Sequence, residues 1–157
     1  MAFYSAKAAL RPAKGGLPNV LYLHSGFENL PEALSGLASA VTILLPWGSL
    51  LKAVAKPEMS ALNEIARLCR ENATLRIIFG YELTSEQKVI EELGLPLLIP
   101  QYLETSFRNA YLEAGFHIQW KMLTQDALKS LPTTWAKKLG YGKPRQFLEV
   151  TAKYKKR

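Results

Sequence analysis

Apolar positions along the chain alternate between short continuous runs and stripes at helical spacing. Residues 19–24 (NVLYLH) follow Gly15, Gly16 and Pro18, and read as a strand entered from a loop. Residues 41–45 (VTILL) form a β-branched run stopped by Pro46, and the lack of polar alternation predicts a strand covered on both faces, as in a parallel sheet. From Glu58 the positions Met59, Leu62, Ile65, Ala66 and Cys69 fall on one helical face, giving an amphipathic helix to about Arg70. Residues 75–79 read as another buried strand. After a loop holding Gly94, Pro96 and Pro100, the set Leu103, Phe107, Ala110, Tyr111 and Ala114 again shares a helical face, with Gly115 where a left-handed cap is expected. Residues 116–123 predict a strand. Thr124 is placed to cap a short helix reaching Leu131, Thr133 or Thr134 to cap a further turn ending at Gly140, and residues 146–154 close the chain as a strand. Strands alternating with helices predict an α/β fold with a mainly parallel sheet.

Composition narrows the setting. A chain of 157 residues suits one domain, spanning 1–157, that buries roughly two thirds of the surface its unfolded form exposes. No apolar run approaches the roughly 18 residues of a membrane span. Lys7, Arg11 and Lys14 interrupt the first apolar positions, so secretion is not expected. Cys69 is the one cysteine, so no internal disulfide or cysteine-built metal centre can form, and a reducing cytoplasm is expected. The net charge of +7 favours a polyanionic partner, because displacing counterions from phosphates gives basic proteins generic affinity. The cations gather at both ends: Lys7, Arg11 and Lys14 early, then Lys129, Lys137, Lys138, Lys143, Arg145, Lys153, Lys155, Lys156 and Arg157 late, with Glu149 the one acid after Asp126.

The chemistry-bearing signatures are few. The sequence holds no Gly-rich phosphate loop, no HExxH and no His or Cys cluster, and His24 and His117 lie far apart, which disfavours a hydrolase or metalloenzyme. Three segments stand out. Leu45-Pro-Trp-Gly-Ser-Leu-Leu51 follows the buried VTILL run, and in open α/β sheets ligands bind beyond the carboxyl ends of strands, so Trp47 falls where a substrate would sit. Ser49 is placed to cap the helix that follows. In Pro132-Thr-Thr-Trp-Ala-Lys-Lys-Leu-Gly-Tyr-Gly-Lys-Pro-Arg145, Trp135 is interleaved with Lys138, Lys143 and Arg145, a combination suited to stacking on a base while holding phosphates. Ser5 to Gly16 (SAKAALRPAKGG) forms another basic loop ahead of a predicted strand.

Together these segments resemble the 16S ribosomal RNA adenine-N1 methyltransferases of the decoding site, the kanamycin-apramycin resistance type. The likeness runs in order through SAKAA and PAKGGLPNVLYL, ENLP, LPWGSLL, YLETSFRNAYLEAGF and TTWAKKL. It implies a partial Rossmann-like class I fold dependent on S-adenosylmethionine (SAM), whose sheet runs in the order 3-2-1-4-5-7-6. The Gly-rich SAM motif and the first two strands have no counterpart in the sequence, so an N-terminally truncated domain is expected, with an edge of VTILL left bare and available for self-association. The resemblance implies that Trp47 and Trp135 clamp a flipped adenine. It implies that Phe27 and Glu28 contact the adenine side of SAM, that Leu45, Pro46 and Ser49 flank its methionine end, and that Thr133 helps to position it. It further implies that Lys7, Arg11, Lys14, Lys138, Lys143 and Arg145 dock on 16S rRNA in the 30S subunit. The alternatives are a non-catalytic RNA-binding remnant that does not bind SAM, and a structural domain whose tryptophans are incidental.

Overall fold

The computed structural model describes residues 6, 9–17, 19–82, 86–141 and 146–156. The chain divides into two compact units, residues 1–30 and 31–157.

In the first unit the described backbone forms two 3-10 turns, Pro12–Lys14 and Phe27–Asn29. The earlier turn is closed by Gly15 at φ 80°, a left-handed conformation that glycine adopts without a Cβ penalty. Residues 19–24 contain no strand, which corrects the expectation for NVLYLH. An apolar run becomes a strand only when a neighbouring strand takes up its backbone groups. Residues 19–24 lie in no strand, and Leu21 is 81% exposed.

The second unit is built on a four-stranded sheet: β1 (Ala38–Leu44), β2 (Cys69–Phe79), β3 (Phe116–Leu123) and β4 (Phe147–Tyr154), in the spatial order β1-β2-β4-β3. β1 pairs parallel with β2, whereas β4 lies antiparallel between β2 and β3. Three strands therefore share one direction and one is reversed, so the mainly parallel expectation holds for strand direction but not for most of the pairings. This order and the single reversal correspond to the 4-5-7-6 end of the expected methyltransferase sheet. Among the described strands none pairs with the outer edge of β1. Thr42 on β1 is exposed, so this strand is not covered on both faces as VTILL suggested.

Between β1 and β2 run α1 (Gly48–Ala55) and α2 (Met59–Leu68). Between β2 and β3 run α3 (Gln87–Leu93), α4 (Pro100–Tyr102), a π-helical turn (Leu103–Phe107) and α5 (Arg108–Glu113), which ends at Gly115 with φ 88°. Between β3 and β4 run α6 (Gln125–Lys129) and α7 (Thr134–Gly140). The threonine caps are as the sequence predicts: the Thr124 hydroxyl accepts from Ala127 N–H at 3.2 Å and the Thr133 hydroxyl from Ala136 N–H at 3.0 Å.

One face of the sheet carries the main core. Leu75, Ile77 and Phe79 of β2, Leu148 and Val150 of β4 and Phe116 of β3 pack with Leu51 and Val54 of α1, Leu62 and Ile65 of α2, and Leu103, Phe107 and Tyr111. The other face is apolar at one end only, where Ile78 and Phe147 meet Leu128, Leu131 and Ala136. Farther along that face Glu149, 6% exposed, is held between Arg76 at 2.6 Å and Lys121 at 3.0 Å.

α1 is anchored at its far end. The last carbonyls of a helix have no partner within it and must find one elsewhere. Here Lys52 O accepts from Lys56 N–H at 2.9 Å and Ala53 O from Glu58 N–H at 3.1 Å. Val54 O accepts from the Tyr111 hydroxyl at 3.1 Å and Ala55 O from the Tyr102 hydroxyl at 2.9 Å. Burial raises both phenol pKa values, that of Tyr102 to about 12, so both hydroxyls remain donors through the physiological range.

Candidate active site

The turn between β1 and α1 is bracketed by two left-handed residues, Leu45 at φ 51° and Gly48 at φ 59°. A leucine in this region is strained, by about 1–3 kcal/mol, and persists only where its surroundings hold it. Its N–H donates to Ile78 O at 2.7 Å and its side chain packs against the smaller core. The turn presents Pro46 and Trp47 beyond the end of the sheet. Trp47 is itself the residue preceding α1, with no side-chain cap. Ser49 is therefore already inside the helix and exposed, which corrects its expected capping role: Gly48 begins the helix one residue sooner.

Trp135 comes to the same end of the sheet for a topological reason. β3 runs in the direction of β1 and β2, so its carboxyl end, Leu123, lies level with theirs. β4 starts at that end, Phe147 opposite Leu123 and Leu148 opposite Phe79. The connection 124–146, which carries α6 and α7, must therefore span the end where Trp47 emerges.

Both tryptophans line one cavity of about 450 Å³, together with Leu45, Pro46, Gly80, Glu86, Leu139 and Phe147. That volume falls within the roughly 300–1,000 Å³ typical of small-molecule sites. Trp47 is 59% exposed and Trp135 is 57% exposed, so neither ring is spent on the core. The reading of incidental, buried and separated tryptophans therefore finds no support.

The other predicted residues are distributed as follows. Leu45 and Pro46 are in the cavity wall, whereas Ser49 and Thr133 do not line it. The Thr133 hydroxyl is engaged as the α7 cap. Phe27 and Glu28 share one 3-10 turn of the 1–30 unit, half-buried and exposed respectively. Arg11 and Lys14, both exposed, flank the other turn of that unit, where Lys14 N–H donates to Arg11 O at 2.8 Å. Lys138 is exposed on α7. Lys7, Lys143 and Arg145 lie outside the described residues.

Sequence reasoning missed Gly80, Glu86, Leu139 and Phe147. Two of these carried a readable signal. Gly80 follows the buried run at the end of β2, where the rule applied to Trp47 holds equally. Leu139 lies four residues after Trp135, on the same helical face. A side chain at Gly80 would also be crowded: a Cβ there would lie 2.2 Å from Gln146 O and 2.8 Å from Phe147 Cδ1, so its neighbours would have to shift.

Comparison with known proteins fixes the family. The model of the family described as NpmA: 16S rRNA (adenine(1408)-N(1))-methyltransferase matches residues 1–154. The chain belongs to this methyltransferase family. It is 35% identical over 149 residues to an Escherichia coli 16S rRNA (adenine(1408)-N(1))-methyltransferase, a match covering 94% of this chain and 68% of that relative. Among solved structures, the aminoglycoside resistance methyltransferase NpmB1 superposes with a TM-score of 0.83 at 32% identity, covering 98% of this chain and 70% of that one. A variant of the 16S rRNA (adenine(1408)-N(1))-methyltransferase of Catenulisporales acidiphilia, crystallised with cosubstrate SAM, gives a TM-score of 0.84 at 28% identity, covering 99% of this chain and 70% of that chain. The α/β architecture of the 16S rRNA methyltransferase family is thus shared by the described sheet and helices. Among the described residues no helix is long and apolar enough to cross a membrane, and no cluster of potential metal ligands occurs.

Proposed function

We propose that this protein methylates N1 of adenine in the decoding site of 16S rRNA on the 30S subunit, using SAM and giving aminoglycoside resistance in the cytoplasm. The observation that carries the reading is the convergence of Trp47 and Trp135 on one open cavity at the carboxyl end of the sheet. Extruding a base from a helix costs a few kcal/mol, and stacking on an aromatic ring returns about 1–3 kcal/mol per base. Two rings offset that cost where one does not.

N1 of adenine carries an available lone pair, so no general base is required, and holding the nitrogen in line with the methyl group is the main catalytic task. Bound SAM supplies an activated methyl on a good leaving group. The chain fits the methyl-bearing end of that molecule: half-buried Leu45 and Pro46 give the cavity an apolar wall beside Trp47, with no buried polar side-chain atom left unsatisfied among the described residues. Ser49 and Thr133, which do not line the cavity, and Phe27 and Glu28 of the 1–30 unit keep the SAM-binding roles that the family resemblance implies. Arg11, Lys14 and Lys138, with Lys7, Lys143 and Arg145, grip phosphates and set register on the ribosome without taking part in the chemistry. The outer edge of β1, with which no described strand pairs, serves self-association.

The test is methyl transfer to 30S subunits from labelled SAM. N1 methylation blocks the pairing edge of the base, so reverse transcription should stop at a single decoding-site adenine. Salt-sensitive 30S binding with no SAM binding and no such stop would instead establish the non-catalytic remnant.

A further inference from the structure

Methylation at N1 relocates a charge. The N1 lone pair forms the new N–CH3 bond while the S–CH3 bond breaks and its electron pair stays on sulfur. The formal positive charge passes from sulfur to the purine, which enters the site neutral and leaves it cationic. Among the described residues lining the cavity, Glu86 is the one ionisable side chain. Among its contacts with described residues, Glu82 N–H donates to Glu86 Oε2 at 2.8 Å and Glu86 N–H donates to Glu82 O at 3.1 Å.

We propose that Glu86 is the electrostatic partner of the cation that forms on the target adenine, an assignment that rests on the cavity being the adenine site. A fixed carboxylate in a partly desolvated wall interacts more strongly with a developing positive charge than it would in water, and being held already it need not reorganise during the reaction. The faces of Trp47 and Trp135 act in the same sense, because aromatic faces attract cations. The site is in this way matched to the charged product-like state rather than to neutral adenine.

The bonds to Glu82 would also suit a carboxylate that merely staples a loop. Glu86→Gln separates the two roles, since its amide oxygen can still accept from Glu82 N–H while the charge is gone. The first measurement needs no methyl donor: titration of the full chain with adenosine and with 1-methyladenosine, which is cationic at neutral pH, followed by tryptophan fluorescence. The wild type should prefer 1-methyladenosine by about tenfold, a modest charge interaction of about 1.4 kcal/mol. Glu86→Gln should bind both nucleosides equally at the adenosine affinity, and Trp135→Ala should weaken both. Equal affinities in the wild type, or a preference that survives in Glu86→Gln, overturn the charge assignment while leaving the cavity assignment standing. Failure of the wild type to bind either nucleoside overturns both. In methyl transfer to 30S subunits Glu86→Gln should lower kcat by about 10- to 100-fold, with the KM for 30S within about twofold of wild type. An unchanged kcat also sinks the proposal.

Discussion

The tryptophan clamp makes a quantitative prediction because both rings lie outside the core. Trp47 is 59% exposed and precedes α1 without capping it through its side chain, and Trp135 is 57% exposed on the first turn of α7. Truncating either to alanine should change folding stability by no more than about 0.5 kcal/mol, as for other surface positions. In a domain of this size that moves Tm by about 2 °C or less. Each ring stacked on the flipped base contributes about 1–3 kcal/mol. At about 1.4 kcal/mol per tenfold, kcat/KM should fall by about 5- to 150-fold in Trp47→Ala and again in Trp135→Ala. Because both rings act on one base, the double variant should deviate from additivity by about 0.5–3 kcal/mol. Phenylalanine keeps a stacking face, so Trp47→Phe and Trp135→Phe should recover most of the loss. The assay is initial-rate methyl incorporation into 30S subunits, with thermal unfolding of every variant alongside. An alanine variant with wild-type Tm and kcat/KM within about twofold of wild type would refute the clamp. A variant whose Tm falls by more than about 5 °C would instead make that ring structural.

Four further outcomes follow from the fold. Tyr111→Phe strips the fully buried Val54 carbonyl of its donor and should cost about 1–3 kcal/mol, whereas Tyr102→Phe, at a half-buried site that water can reach, should cost about 0.5–1.5 kcal/mol, as read from denaturant midpoints. Gly80→Ala places a Cβ against the Gln146 carbonyl and the Phe147 backbone, and should cost about 1–3 kcal/mol while distorting the cavity; a wild-type midpoint and nucleoside affinity would disprove the close approach. Burial raises the Glu149 carboxyl pKa, but hydrogen bonds from Arg76 and Lys121 outweigh it and leave the folded value below the ordinary 4.5. The unfolded chain then binds the extra proton, so this stabilisation is present above about pH 4.5 and is lost as pH falls through the folded value; Glu149→Gln should flatten the acid limb of the stability curve, and a parallel curve would contradict this. If β1 offers its open edge for self-pairing, sedimentation velocity should show concentration-dependent association that Thr42→Lys suppresses, and a wild-type monomer at every concentration would count against it.

What the sequence disclosed and what it withheld divide along local and non-local physics. The Thr124 and Thr133 caps and the Gly115 stop were readable because each depends on hydrogen bonds within a turn or two. Residues 19–24 look like a strand by the same local signs but contain none, because strand formation depends on a partner no local pattern specifies. The left-handed Leu45 was invisible for a related reason, since leucine ahead of proline does not favour that region, and Ile78 O and the smaller core hold it there. Trp47 and Trp135 could be nominated from their segments, but their meeting is a property of the sheet. A parallel addition of β4 would have required it to start at the opposite end, and its preceding connection would have had to cross back over the sheet. Reversing β4 between β2 and β3 keeps residues 124–146 at the carboxyl ends of β1 and β2, and so carries Trp135 to the cavity that Trp47, Gly80 and Glu86 also line. A variant that disturbs this one reversal, as Gly80→Ala does just beyond β2 by crowding Gln146 O and Phe147, should therefore damage the site without touching either ring.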